Sequence, residues 1–172
     1  MNEGLNVLSL FDGMSAGMIA LERAGIKVKN YYASEIDKHA IKVSKANYPN
    51  IIQLGDVTSV DVSTLPKIDL LIGGSPCQGF SLAGKQIAFD DPRSKLYFEY
   101  ERILKELQVI NPNIKFLLEN VKMKQEFKDV ITERLGVSPV FINSKVVSAQ
   151  SRGREYWTNI EFTLPEDRCI KV

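Results

Sequence analysis

The sequence is poor in the residues on which many metal and triad sites depend. It has two cysteines, Cys77 and Cys169, far apart in the chain, and a single histidine, His39. That set cannot furnish a disulfide framework or a four-ligand zinc centre, so no metal is expected, and a His-dependent triad is effectively excluded. No apolar run reaches the roughly 18 residues of a membrane span. The opening Met1-Asn2-Glu3-Gly4 lacks the basic start and apolar stretch of a signal peptide, so neither secretion nor membrane insertion is expected and the location is read as cytoplasmic. An excess of one charge sign is also missing: 22 Lys and Arg stand against 21 Asp and Glu, a net charge of +1. Such a chain has no global basic field for holding nucleic acid by counterion release, and a grip on phosphate would have to be local or supplied by something else. Repeats, low-complexity tracts and Pro/Gly/Ser linkers are absent as well. The 172 residues, 44% hydrophobic and 25% charged, therefore read as one domain, 1–172, with enough length for a substantial core.

What recurs instead is a short apolar run, a turn and an amphipathic stretch, the pattern of βα units stacked into a parallel sheet. Strands are expected at Leu5 to Leu10, Val28 to Ala33, Ile51 to Leu54, Ile68 to Ile72 and Ile114 to Leu118, the last with Glu119 at its end. Helices are expected from about Ser15 to Ala24, with Met18, Ile19 and Leu21 inward and Gly25 as the stop, and from Asp37 to Asn47, closed by Pro49. Leu96, Tyr97, Tyr100, Ile103, Leu104 and Leu107 recur at helical spacing, and another helix is read around Gln125 to Leu135. Val140 to Val147 and Arg154 to Phe162 cluster β-formers and are expected to pair antiparallel. The fold class is thus α/β, a doubly wound, mostly parallel sheet with a terminal antiparallel strand pair.

Ligands of such sheets sit beyond the carboxyl ends of the strands, and the unusual residues concentrate there. Phe11-Asp12-Gly13-Met14-Ser15-Ala16-Gly17 puts two glycines in the first strand-to-helix turn, where either ligand approach or helix–strand packing would need them. Glu35, about 20 residues further on, could accept ribose hydroxyls. Asp56 could accept the exocyclic amine of adenine, although Gly55-Asp56 is also a common turn dipeptide. With a stackable Phe11, these residues describe a nucleoside pocket. Neither a phosphate-cradling Lys-Ser/Thr pair nor a full G-x-G-x-x-G is present, which favours a nucleoside without a polyphosphate over ATP or NAD.

After the fourth strand comes Gly73-Gly74-Ser75-Pro76-Cys77-Gln78-Gly79-Phe80-Ser81. A lone cysteine is commonly a small buried hydrophobe. Here it follows a strand, is braced by proline and opens a polar loop, which points it toward the strand-end site. Thiol redox and papain-like proteolysis are poorly served, since no second cysteine lies nearby and a histidine base is hard to supply. A thiol and an acid, Cys77 and Glu119, at neighbouring strand ends suit addition to an electrophilic ring whose nitrogen the acid protonates.

In order along nearly the whole chain, these residues resemble the DNA cytosine-5 methyltransferases. The Phe11–Gly17 turn resembles the family's first cofactor motif, Glu35 its ribose-binding acid and Asp56 its adenine contact. Pro76-Cys77 resembles the catalytic motif, Glu119-Asn120-Val121 the proton-donor motif, and Gln150, Arg152 and Arg154 the Q-x-R-x-R element. The texture is closest to the animal de novo methyltransferase catalytic domain and to similar phage and bacterial enzymes, including those of restriction–modification. The resemblance implies a Rossmann-like class I methyltransferase fold and S-adenosylmethionine as methyl donor, with S-adenosylhomocysteine as product. Cofactor contacts are implied for Phe11, Asp12, Gly13, Ser15, Gly17, Glu35, Ile36, Asp56, Val57 and Pro76, and substrate contacts for Ser75, Gln78, Ser81, Asn120, Val121 and Gln150. It implies attack of the Cys77 thiolate on C6 of a flipped cytosine in DNA while Glu119 protonates N3, methylation at C5, loss of the C5 proton and elimination of the thiol. Arg152 and Arg154 would orient the flipped nucleotide, and a loop from Gln78 to Ser94, hinged at Gly79 and Gly84, would close over it.

Family members continue past the Q-x-R-x-R strand with a target-recognition region, and most then return to the cofactor pocket with a final motif, whereas this sequence ends at Val172. Target reading and part of the cofactor grip are therefore expected from a second chain, a missing segment or a homo-oligomer. The alternatives are an adenosylmethionine-binding module without catalysis, whose decay would leave no reason to keep Cys77, Glu119, Arg152 and Arg154 together, and, more remotely, a non-methyltransferase nucleoside-binding enzyme.

Overall fold

A computed structural model describes residues 4–76 and 95–170. Its strands are β1 (Leu5–Leu10), β2 (Val28–Ser34), β3 (Ile52–Gln53), β4 (Leu70–Gly73), β5 (Lys115–Val121), β6 (Val140–Asn143) and β7 (Gly153–Thr158). The helices are α1 (Ala16–Arg23), α2 (Lys38–Asn47), α3 (Lys95–Ile110) and α4 (Gln125–Leu135). Among the described residues they form one seven-stranded sheet in the order β3-β2-β1-β4-β5-β7-β6, parallel from β3 to β5, with β7 antiparallel to both β5 and β6. The doubly wound α/β sheet with a terminal antiparallel pair is the architecture expected from the sequence.

Alternation along the strands divides the apolar residues between two cores. Leu8, Leu10, Leu71, Phe116, Leu118 and Trp157 face α3 and α4, meeting Tyr97, Tyr100, Ile103, Leu107, Phe127 and Ile131. Val7, Tyr31, Ala33 and Leu70 face the other way, against Leu21 and Met18 of α1. The α1 stop is a Schellman motif. Gly25 (φ +69°) donates to Glu22 O at 3.0 Å and Ile26 to Leu21 O at 3.0 Å, so a residue that tolerates the left-handed region satisfies the last turn's carbonyls. Asp37 caps α2 by accepting from the His39 and Ala40 amides.

Several boundaries depart from the sequence reading. Ile19, expected inward, is 39% exposed, so the inner stripe of α1 rests on Met18 and Leu21. β5 runs on to Val121 because β7 pairs with it from Leu117↔Thr158 to Val121↔Arg154, which puts Glu119 inside the strand rather than at its end. β6 stops at Asn143, whose side chain accepts from the Lys145 amide and turns the chain into a 3-10 turn at Ser144–Val146. β7 stops at Thr158 because Asn159 turns its amide onto β5, accepting from the Phe116 amide at 2.9 Å and donating to Ile114 O at 2.9 Å. β3 keeps only Ile52–Gln53, and after it come two 3-10 turns, Val57–Ser59 and Val62–Thr64, capped by Asp56 and Asp61.

Candidate active site

The topology brings the ends of β3, β2, β1, β4 and β5 side by side. The direction of winding changes between β1 and β4, which pair from Val7↔Leu70 to Leu10↔Gly73. That change is where such sheets open a ligand crevice.

The turn after β1 alternates into the left-handed region at Phe11 (φ 57°), Gly13 (φ 60°) and Ser15 (φ 65°), a costly path for two residues that carry side chains. A buried polar network holds it. Asp12 Oδ1 accepts from Tyr31 Oη at 2.7 Å and Oδ2 from Ser15 Oγ at 2.5 Å, while Ser15 Oγ lies 2.6 Å from Ser44 Oγ, to which Gln53 Nε2 donates at 3.3 Å. Burial, reinforced by Asp12, pushes the Tyr31 phenol far above its ordinary range and keeps it a neutral donor. The side chains of Asp12 and Ser15 thus point into the protein, and any part they play toward a ligand runs through the backbone they shape. Gly17 likewise answers to packing: a Cβ there would lie 2.7 Å from Tyr31 Oη and against the end of Ile72. Gly13, by contrast, has open space where a side chain would stand. Phe11 is half-buried against the main core.

Glu35 is tied to that turn. Its Oε2 accepts from the Gly13 amide at 2.8 Å, and its Oε1 accepts from the amides of Ile36 and Asp37, each at 2.8 Å. A carboxylate offers about four acceptor positions, so one remains on Oε2, and a bidentate grip on a ribose would require one of these amides to let go. Ile36 beside it is 70% exposed, an apolar surface at the crevice. Asp56 uses Oδ1 for the Thr58 amide and hydroxyl, which hold its carboxyl below the usual range, and Oδ2 has no partner among the described residues. Ser34 Oγ donates to Gly55 O at 2.8 Å and keeps this turn beside Glu35. Val57 turns its side chain into the main core.

At the other edge, Glu119 and Arg154 meet on one face of the β5–β7 ladder. Arg154 Nε lies 2.6 Å from Glu119 Oε1, off the N–H axis, so the contact is an ion pair rather than a linear hydrogen bond. Nη1 of the same arginine donates to Gly153 O at 2.8 Å. Tyr156 stands opposite Glu119. Its phenol is pushed up by burial and by Glu119 and drawn back by Arg154 and Arg152, which places the charges of both arginines near this face. Gly74 makes room for the acid, since a Cβ there would lie 2.9 Å from Glu119 Oε2. On the opposite face, buried Asn120 donates to Ser75 Oγ at 3.4 Å and pins the segment after β4 next to exposed Pro76. Val121 follows on the Glu119 face, its amide donating to Asn120 Oδ1. Arg152 and Gln150 are exposed just before β7, and Lys145 is exposed on the neighbouring turn. Cys77, Gln78, Ser81 and the other residues of 77–94, on which the closing-loop expectation falls, lie outside the described residues. Sequence reading missed Tyr156, and the period-2 register of Arg152, Arg154 and Tyr156 was the available signal.

The sequence profile of the family described as C-5 cytosine-specific DNA methylase matches residues 5–135. The chain is 46% identical over 116 residues to the type II methyltransferase M1.ScrFI of Lactococcus lactis subsp. cremoris, covering 67% of this chain and 28% of that protein. It is 37% identical over 175 residues to the orphan methyltransferase M.Rho11sI of Bacillus phage rho11s, covering 95% and 34%. Among solved structures, the Entamoeba histolytica methyltransferase EhMeth superposes with a TM-score of 0.76 at 19% identity, over 96% of this chain and 57% of that one. The S. pombe Dnmt2 methyltransferase gives 0.72 at 21% identity, over 92% and 52%. The chain thus spans about a third of the length of these curated relatives, and the family match covers β1 to α4, which includes the turn after β1, Glu35, Asp56 and Glu119 but stops before Arg152 and Arg154. It belongs to the C-5 cytosine-specific DNA methylase family.

Proposed function

We propose that the chain transfers a methyl group from S-adenosylmethionine to C5 of a flipped cytosine in DNA. The observation that carries this reading is the Glu119–Arg154 pair beside Gly74, one strand from the Ser75-Pro76 lead into Cys77, in a chain of this family. The residues at the cofactor edge fit a nucleoside: Glu35 keeps an acceptor, Asp56 a free oxygen, Ile36 an exposed apolar surface, and Gly13 leaves space at its Cα. S-adenosylmethionine, when bound, supplies an electrophilic methyl group. Cys77, as thiolate, adds to C6 while Glu119 delivers a proton to N3, so the ring's electron pair collects at C5, where methylation occurs. Loss of the C5 proton to a base then expels the thiolate. Arg154 orients the Glu119 carboxyl and resists its rotation, and Arg152, exposed on the same side, is available for a phosphate or the cytosine O2.

Target reading and most of the duplex grip are assigned to residues outside these 172, on the same polypeptide or a second chain. Extruding a base costs a few kcal/mol that enzymes offset with phosphate contacts and by filling the vacated stack, and a net charge of +1 with Lys145 and Arg152 exposed near the site offers little of either. A DNA substrate, together with the bacterial and phage sources of its curated relatives, supports the cytoplasm of a bacterial or phage-infected cell as the place of work.

Trapping tests the chemistry. On single-stranded DNA containing 5-fluorocytosine at low salt, where elimination is blocked and extrusion costs least, a covalent adduct is expected that requires S-adenosylmethionine and vanishes in Cys77→Ser. Persistence of the adduct in Cys77→Ser would assign the wrong nucleophile. Binding of the methyl donor without any adduct would favour the non-catalytic module, and tighter calorimetric binding of NAD would overturn the cofactor.

A further inference from the structure

Arg102 lies on α3, outside the strand-end cluster, and spends its whole guanidinium. Nε donates to Glu99 Oε2 at 2.8 Å, and Nη1 reaches both oxygens of Glu106 at 3.0 and 3.1 Å. Nη2 crosses to the loop after β3, donating to Val57 O at 3.4 Å and Val60 O at 3.3 Å. These five contacts match the five N–H donors of the planar fork, an arrangement that a lysine ammonium cannot reproduce. Two carboxylates one turn to either side hold the head on its own helix, so the remaining nitrogen acts as a fixed point for the turn it grips.

That turn is the one that presents Asp56. Asp56 Oδ1 caps it through the Thr58 amide, the Val60 amide closes it on Val57 O at 3.3 Å, and Val57 and Val60 seat their side chains in the core. Asp56 is exposed, and its Oδ2 has no partner among the described residues. We propose that Arg102 is a positioning residue for the nucleobase end of the cofactor site, where the turn it clamps holds Asp56 Oδ2 as the acceptor for an exocyclic ring amine. The proposal rests on the cofactor reading above, in which Asp56 is the adenine contact, and adds to it the residue that holds that acceptor in place.

A carboxylate acceptor favours a 6-amino purine over its 6-oxo analogue, so the assay is calorimetric binding of S-adenosylhomocysteine and S-inosylhomocysteine to the 172-residue chain. The wild type should prefer the adenosyl ligand by about tenfold or more, the range of one hydrogen bond to a charged group. In Arg102→Lys and Arg102→Met the preference should fall to within about twofold, through loss of adenosyl affinity with inosyl affinity nearly unchanged. Variants that keep the wild-type preference, or lose both ligands equally, would overturn the proposal, since a merely structural arginine gives one or the other. A wild type that binds both ligands equally would overturn it while leaving the cofactor reading intact, and a wild type that binds neither would remove both. If thermal melting shows that the Arg102 variants do not fold, Glu106→Gln, which keeps the arginine but loosens its anchor, is read by the same preference.

Discussion

Gly17→Ala sets two effects of opposite sign against each other. Alanine in a helix is ordinarily favoured over glycine by about 0.5–1 kcal/mol, so the substitution would stabilise α1 if nothing stood beside it. Here the new methyl meets the end of Ile72, a terminal methyl that can swing aside, and Tyr31 Oη at 2.7 Å, which cannot. That hydroxyl is buried and donates to Asp12 Oδ1, so moving it strains a hydrogen bond to a charged group worth about 1.5–3 kcal/mol, on top of an overpacking cost of about 1–3 kcal/mol. Clash should exceed propensity, for a net loss of about 1–3 kcal/mol, or roughly 3–10 °C in Tm at this chain length, read by urea or thermal unfolding. A double-mutant cycle identifies the cause. In a Tyr31→Phe background the obstructing oxygen is gone, so Gly17→Ala should cost at least about 1 kcal/mol less than in the wild type. A Gly17→Ala chain as stable as the parent, or additive effects in the cycle, would refute the claim that this glycine makes room for the tyrosine that holds the first turn.

Gly74→Ala should leave the melting point and cofactor affinity near wild type while lowering methyl transfer or adduct formation by tenfold or more, because its Cβ would displace Glu119 Oε2; unchanged turnover would refute this. Lys128→Met leaves the buried Glu155 carboxylate without its partner 3.2 Å away and should cost about 3–5 kcal/mol, much of it recovered in Lys128→Met with Glu155→Gln; a double variant no better than the single would count against it. Burial holds the phenols of Tyr31, Tyr97 and Tyr100 above the ordinary value of 10.0. Groups raised in this way stabilise the fold fully below pH 10 and lose that contribution as the pH climbs above it, so the tyrosines' contribution should be constant up to about pH 10 and then fall, with these tyrosinates appearing in the ultraviolet only with unfolding. Turnover by the 172-residue chain alone on duplex DNA at physiological salt near 1 per second or faster would contradict the assignment of duplex grip to residues elsewhere.

The parts of the fold legible in the sequence were those whose cause is local. β1 and α4 fall where the apolar runs and spacing put them, and Gly25 marks the stop of α1 because a left-handed stop needs no distant partner. The strand-end acids and arginines were legible as residue types. Their orientations were not. Asp12 turns inward because Tyr31, on the next strand, donates to it, and Glu119 sits within its strand because β7 returns beside it. The two 3-10 turns had a signal, an Asp-Val pair followed by hydroxyl residues at Asp56 and again at Asp61, but one weaker than the apolar runs around it.

The position of β7 between β5 and β6 has a consequence for how the protein is made. Residues 153–158 supply the partner for one whole side of β5, and Arg154 supplies the partner of Glu119, so neither the inner sheet nor the acid's setting is complete until these residues have left the ribosome. Until then Phe116 and Leu118 belong to a bare edge strand, the kind of surface that pairs with other chains. Synthesis halted before Gly153 should give chains that hold the β1–α1 turn and its buried polar network yet lack the strand that brings Trp157 to the sheet. Such chains are destined for aggregation or proteolysis rather than partial activity.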